Sequence, residues 1–349
     1  MSLKRRPKSS QKREPAWAHY SDEDLLKVRM KDLGVSIKGS WLQGQLERLH
    51  DELTSRDVAV RAHAWFSHEW FSPHDTPGIA IPFYLAHPRL MRLERKMVLE
   101  VEGGTPTECM RILRHEAGHV VQRAYGLHRR RRWQQLFGNA GKRYPDHYRP
   151  DPTSKRHVQH LRRWYAQCHP DEDFAETFAV WLTPRSSWRK KYADWPALKK
   201  LEYVDELMRE LAGVKPVPKR RIEMDPMREL RMTLGDHYEA KRRRFAVDAP
   251  TVFDRDLKRI FSSDQQNAPI ASSVIKRHRE RIMTSVAYYT GEYPLALDAA
   301  LEDVIDRTRA LKLRAAGSEI RIRNEITALL SKRSVTSLYS AGRRQQFAV

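Results

Sequence analysis

Apolar positions along the chain change period several times, and each change marks an element. A Lys/Arg/Ser/Pro-rich start, "MSLKRRPKSSQKREPAW", has no period and reads as a disordered basic tail over residues 1–20. A helical period begins at "SDEDLLKVRMKDLGV", with Ser21 as N-cap and Glu23 and Asp24 in the first turn. "SWLQGQLERLHDELTSR" places Leu42, Leu46, Leu49 and Leu53 on one face of a second helix. "VAVRAHAWF" then alternates, which predicts a strand with Val58, Val60, Ala62 and Ala64 on one side. "GIAIPFYLA" predicts another strand, and Pro82 places it at a sheet edge. "HPRLMRLERK" predicts a short helix, and "MVLEVEGG" a strand in which Glu100 and Glu102 alternate with Leu99 and Val101.

To about residue 185 the pattern is α/β or α+β, and beyond it the chain is helical. "WPALKKLEYVDELMRELAG" ends at Gly213, a natural C-cap. The pattern therefore predicts a domain over 21–213, a linker over 214–221 stiffened by Pro216 and Pro218, and basic helices over 222–349. No fixed-period repeat is present.

The stretch "TPTECMRILRHEAGHVVQRAYG" is marked as a helix before its histidines are considered. Thr105 stands as N-cap, Pro106 at the first helical position and Glu108 three residues after the cap, the capping-box pattern. Ile112, Leu113, Ala117, Val120, Val121 and Ala124 supply an apolar face, and Gly126 stops the helix. His115 and His119 lie one turn apart on one side, where both imidazoles can bind one zinc ion. Glu116 projects toward the open position and can accept a proton from zinc-bound water. With 15 histidines in the chain, chance produces an H-E-x-x-H very roughly 4% of the time. Gly118 costs such a helix about 1 kcal/mol relative to Ala, which a close approach by another backbone or a ligand would explain.

A catalytic zinc usually takes three protein ligands. The third is sought in "WYAQCHPDEDFAETFAVWLTP", where Pro170 and the acidic run Asp171, Glu172, Asp173 suit a helix first turn. Glu172 and Glu176 share one face. One can bind zinc while the other hydrogen-bonds the free N–H of a zinc histidine, and spacing alone leaves the choice open.

"HEAGH" followed by "EDFAETFA" resembles the gluzincin metallopeptidases, whose third ligand is a glutamate on a later helix. The form E-x-x-A-E-x-F-A is similar to the catalytic domain of anthrax lethal factor, and to bacterial zinc-binding metallopeptidases with an "EDWAETWA"-like motif. The resemblance covers about residues 55–185. It implies an α+β, zincin-like domain: a small sheet, the HExxH helix and a glutamate-ligand helix, followed here by a mostly helical C-terminal region. It further implies Glu172 as ligand, Glu176 as the hydrogen-bond partner of a zinc histidine, and Tyr165, seven residues before Glu172, as the donor to the oxyanion. The long spacer between His119 and Glu172 departs from short-spacer gluzincins.

The resulting expectation is a zinc-dependent peptidase that uses Zn2+ and acts on a peptide or protein. The net charge of +21 and pI near 10.1 add attraction to polyanions or acidic proteins. "LHRRRRW" can meet an acidic substrate segment or form a solvated loop face. Arg242, Arg243, Arg244, Lys276, Arg277 and Arg279 can track phosphates. The alternative reading is thus a zinc-stabilised regulatory protein that binds nucleic acid or an acidic partner with little turnover. The edge strand from Gly78 to Leu85 is a candidate for pairing with an extended substrate. His63, His68 and His74 are spaced too irregularly for a second metal. No run of about 18 apolar residues predicts a membrane span. Two cysteines and no apolar segment behind the basic start favour the cytoplasm.

Overall fold

The computed structural model describes residues 14–73, 76–145, 147–148, 150–216, 221–245, 254–265, 267–339 and 347–348. The expected basic tail up to residue 13, His74, residues 217–220 of the expected linker and the Arg244 side chain lie outside the described residues.

Helix α1 (Asp22–Leu26) is capped by the Ser21 hydroxyl, which accepts from the Asp24 N–H at 3.1 Å. Helix α2 (Trp41–Thr54) buries the stripe Leu42, Leu46, Leu49 and Leu53. Strands β1 (His63–Ser67) and β2 (Gly78–Pro82) pair in parallel, His63 opposite Gly78 through Ser67 opposite Pro82. Helices α3 (Pro88–Val98), α4 (Pro106–Ala124) and α5 (Arg131–Phe137) follow. Next come α6 (Pro170–Leu182), α7 (Trp188–Lys191) and α8 (Leu198–Glu210). This is a mixed helical architecture with a small parallel sheet, compatible with the α+β expectation.

Three local expectations are corrected. The strand at "MVLEVEGG" is absent: α3 continues to Val98, and Leu99 leaves it in the left-handed region (φ 63°) as its C-cap. The apolar residues Met97 and Val98 complete the helical stripe, so the 3.6 period outcompetes a four-residue alternation. The second strand stops at Pro82 and tightens into a 3-10 turn over Phe83–Ala86. Its far edge is also not free. Ala80 exchanges backbone hydrogen bonds with Phe71, at 2.8 and 3.4 Å, and all five β2 residues are buried. That strand offers no open ladder for a substrate at Ala80.

Two hydrophobic cores form. The first takes in Trp17, on a 3-10 turn at Ala16–His19, and extends beyond the expected linker to Met227, Leu234 and Tyr238. Helix α9 (Leu234–Phe245) and the segment before it are sewn to this core. Trp65 Nε1 donates to the Met224 carbonyl at 3.0 Å, Met30 N–H to the Met232 carbonyl at 3.0 Å, and Lys241 pairs with Glu94 at 2.8 Å. The second core belongs to α10 (Asp254–Ile260), α11 (Ala271–Arg277), α12 (Arg279–Thr290), α13 (Pro294–Ala310) and α14 (Glu319–Tyr339). The helices that face water there follow the amphipathic pattern of the sequence. Among the described residues no helix is long and apolar enough to cross a membrane.

Helices α4 and α6 pack closely in the first core. A Cβ placed on Gly118 would sit 2.8 Å from Ala175 Cα and 3.1 Å from its carbonyl oxygen. The glycine that a plain helix would gain by losing is there because another backbone occupies the space. Gly118→Ala sets a helix-propensity gain of about 1 kcal/mol against overpacking that costs about 1–3 kcal/mol or more. The neighbour is backbone and cannot swing aside, so the cost should win. Urea denaturation should show a lower midpoint with an unchanged slope. Stability equal to wild type would mean that the two helices can part without cost.

Candidate metal centre

The sequence builds α4 with a side-chain cap at its start. Thr105 accepts from the Glu108 N–H at 3.2 Å, and Pro106 occupies the first turn. Helix α6 begins with Pro170, and its cap is His169, whose Nδ1 accepts from the Asp171 N–H at 3.2 Å. Four residues of α4, His115, Gly118, His119 and Gln122, follow the i, i+3, i+4, i+7 rule and share one stripe. They meet Glu176, Ala175, Glu172 and Asp171 of α6 in that order. One set of numbers rises as the other falls, so the helices run antiparallel.

This pairing puts donor atoms around one point. His115 Nε2 lies 2.9 Å from Glu172 Oε2, and His119 Nε2 lies 3.2 Å from the same oxygen and 3.2 Å from His115 Nε2. A tetrahedral zinc with bonds of about 2.0–2.1 Å holds its ligand atoms roughly 3.3 Å apart. The three atoms therefore need to open by only tenths of an ångström. Among the described residues His115, His119 and Glu172 are a buried group whose ligand atoms could hold a metal ion. His115 is 2% exposed, His119 4% and Glu172 5%.

Glu176, 1% exposed, stands behind this group. Its Oε1 accepts from His115 Nδ1 at 2.9 Å and its Oε2 from the Leu161 N–H at 2.8 Å. With Nδ1 carrying the proton, the His115 Nε2 lone pair faces Glu172. Burial opposes charge on His115, but its hydrogen bonds to Glu172 and Glu176 and their charge outweigh burial and raise its pKa well above the usual value. Glu172 is held well below the usual carboxylate range. Burial works the other way there, and the charge of His119 with the hydrogen bonds from both histidines overcomes it. The two carboxylates thus make a place where positive charge is favoured, which suits a dication as well as a proton.

Glu116 is 6% exposed, and its Oε2 has no hydrogen-bond partner among the described residues. A buried, unpaired carboxylate oxygen costs about 1–3 kcal/mol or more. It is the kind of group a site keeps to receive a proton-bearing ligand. The fit of the cluster to a metal rests on this orphaned oxygen together with the donor set.

Tyr165 comes near but on another side. Its ring centroid is 5.8 Å from that of His115. Burial first, then the charge of Glu172, pushes its phenol well above the usual range, so it remains a donor. It sits on a 3-10 segment, Arg162–Gln167, in which Arg163 and Trp164 take left-handed angles (φ 63° and 53°). Of the sequence-predicted site residues, Tyr165 alone lines a cavity of about 220 Å³, with Ile112, Tyr148, Leu161, Arg163 and Tyr293 among its walls.

Sequence reasoning missed several contributors. Tyr144 donates to Glu172 Oε1 at 2.8 Å. Arg163 donates to the Gly291 carbonyl at 3.0 Å, pairs with Glu100 at 3.2 Å and lies 3.6 Å over the Tyr293 ring. His160 bonds the Arg111 carbonyl at 2.9 Å, fixing the turn that presents the Leu161 N–H. A sequence signal existed for His169, a polar residue directly before Pro170 in the N-cap position. Cys168 packs with Tyr148, outside the cluster. Two of the four arginines in the run are paired, Arg130 with Glu210 and Arg132 with Glu206. His63 stacks on Trp65, and His68 packs against Phe71 and His237.

Purified protein should carry about one zinc per chain, and the His115→Ala, His119→Ala double variant should carry none by elemental analysis. Glu172→Ala should bind zinc more weakly than Glu176→Ala. The latter removes an oriented hydrogen bond, an effect of about 10–100-fold. The opposite order would move the ligand role to Glu176.

A family model described as "Putative zinc-binding metallo-peptidase" matches residues 109–193, a segment that contains the histidines of α4 and all of α6. Neither a curated protein nor a solved structure matches the chain. The matched family is described as zinc-binding and the buried His-His-Glu cluster could hold a metal ion, so the two agree on metal binding.

Proposed function

We propose that the protein is a zinc-dependent peptidase of the gluzincin type, with a zincin-like domain in its first core. His115 and His119, through Nε2, and Glu172, through Oε2, hold the ion. The observation that carries this reading is the convergence of those three atoms within 3.2 Å of one another, one residue from a glutamate with an unpaired buried oxygen. A zinc ion there would act as a Lewis acid toward a carbonyl and would bring the pKa of bound water down to about 7.

Glu116 accepts the proton of the attacking water and passes it to the leaving amine. Tyr165 donates to the oxyanion that forms on the peptide carbonyl. Glu176 keeps His115 in one tautomer and one orientation. The substrate is a peptide or protein, and the cavity lined by Tyr165 is the approach this reading assigns to it. Both cysteines, Cys109 and Cys168, are free and buried, which suits a reducing cytoplasm.

The binding-protein alternative is less well supported. A structural zinc normally takes four protein ligands and needs no adjacent base. Several basic residues expected to track phosphates are also engaged within the chain: Arg243 with Glu239, Arg277 with Glu319, and Arg279 with Asp298 and Glu302. Arg242 donates to the Met97 carbonyl.

Glu116→Gln keeps the size of the side chain but cannot take the proton. It should retain zinc and lose about 10²–10⁴-fold in hydrolysis. Chelation should abolish wild-type cleavage, and added zinc should restore it. A proteome-wide cleavage screen of wild type against this variant would read both substrate and mechanism. Equal cleavage by the two proteins would remove Glu116 from the mechanism.

A further inference from the structure

Glu172 presents its two oxygens to different partners. Oε2 faces His115 and His119. Oε1 accepts the Tyr144 hydroxyl at 2.8 Å. Tyr144 belongs to the segment after α5, not to either helix of the cluster, so its position must be fixed by something else.

The fixing element is His169. The Tyr144 and His169 rings stack with centroids 3.8 Å apart and planes 16° from parallel. His169 is itself held at both ring nitrogens. Nδ1 accepts from the Asp171 N–H at 3.2 Å, and Nε2 donates to the Lys142 carbonyl at 2.9 Å. The first bond ties the ring to the start of α6. The second ties it to the chain two residues before Tyr144. Gly138, in a backbone conformation that L side chains rarely adopt (φ 108°), lets this segment turn back against Pro170. The hydroxyl of Tyr144 is thereby aimed at one oxygen of the glutamate three residues after His169.

We propose that Tyr144 is a positioning residue that makes Glu172 a one-oxygen metal ligand, keeping the fourth position of the metal open. The proposal rests on reading His115, His119 and Glu172 as metal ligands. A carboxylate free at both oxygens can bind a dication through either or both. Binding through both would fill the position that water needs in a catalytic site. A hydrogen bond on Oε1 takes one of that oxygen's two lone pairs and fixes the carboxylate plane, which favours Oε2 as the oxygen turned to the metal. This is the carboxylate counterpart of the bond from His115 to Glu176. In this role Tyr144 acts through Glu172.

The test uses the full-length protein stripped of metal, with zinc alone as the probe, so it does not depend on finding a substrate. Tyr144→Phe removes the hydroxyl and keeps the stack. Competition with a chromogenic chelator should show zinc affinity lower by about 10–100-fold, with the fold retained by circular dichroism. The cobalt-substituted variant should show weaker visible absorption than cobalt wild type, because two-oxygen binding raises the coordination number. His169→Asn keeps an N-cap acceptor for α6 but deletes the stack, and should weaken zinc binding in the same direction. Wild-type zinc affinity and an unchanged cobalt spectrum in Tyr144→Phe would overturn the proposal. Should Tyr144→Phe lose the fold, His169→Asn decides: a wild-type cobalt spectrum there overturns it as well. Neither result bears on Glu116, whose failure would show as retained hydrolysis in Glu116→Gln.

Discussion

The contact of Gly118 with the backbone of Ala175 is the constraint from which the site follows. Without a side chain at 118, the two helices approach until a Cβ would stand 2.8 Å from Ala175 Cα. At that separation a glutamate on α6 reaches between two histidines on α4. The flanking pairs set rotation. His115 meets Glu176 on one side of the contact, and Gln122 donates to Asp171 at 2.7 Å on the other. Rotating either helix by one residue, about 100°, would break all of these contacts together. Arg114 adds a tether from outside, with a two-pronged pair to Glu52 of α2 at 2.7 Å and 2.7 Å. Buried pairs of this kind contribute little net stability, but they fix which way each helix faces.

The long spacer between His119 and Glu172 gains a purpose from this arrangement. A shorter connection could join the helices, but it would leave the backs of the donor residues bare. The spacer instead returns to the helices repeatedly. His160 holds the Arg111 carbonyl, Leu161 supplies an N–H to Glu176, and Tyr144 reaches Glu172. Each bond satisfies a polar atom that would otherwise be buried unpaired, at about 1–3 kcal/mol apiece. The donor atoms are consequently held by a layer that comes from one continuous stretch of chain.

Much of the site was legible because it is local. The cap at Thr105, the proline at 106, the histidine spacing and the unexplained glycine at 118 are all short-range signals, and each has a structural counterpart. The helix at 170–182 was legible from its acidic first turn and apolar side. The unread parts depend on long-range meetings. Nothing in "GKRYPDHY" says that Tyr144 will lie on His169, because the stack is made by the path of the loop and not by a period. The strand expected at residues 97–104 shows the opposite error, where a brief alternation was read against a helix that had not yet ended. The boundary near residue 214 followed from prolines. Yet Met227, Leu234 and Tyr238 cross it to join the first core, since composition marks turns and does not report which core an apolar face will choose.

The second core also takes part in the geometry of the first. Arg163 and Trp164 hold left-handed backbone angles that cost bulky L residues about 1–3 kcal/mol each. Such a turn persists only where its surroundings over-determine it. Here the surroundings come from two places: Glu100, just after α3, and the Gly291–Tyr293 turn between α12 and α13. The turn that presents Tyr165 is therefore braced by both cores, and the Tyr165 ring packs with Tyr148 and Tyr293 in one small cluster. The basic character of the helical region follows a similar logic. Many of its arginines are spent on carboxylates of neighbouring helices, as in the pairs of Arg279 with Asp298 and Arg307 with Asp254. Exposed pairs of this kind are worth at most about 1 kcal/mol each, so they orient helices around a core whose stability comes from buried Leu, Ile and Val. What the helical region contributes to the candidate metal site is thus positional, delivered through the short turn at 291–293.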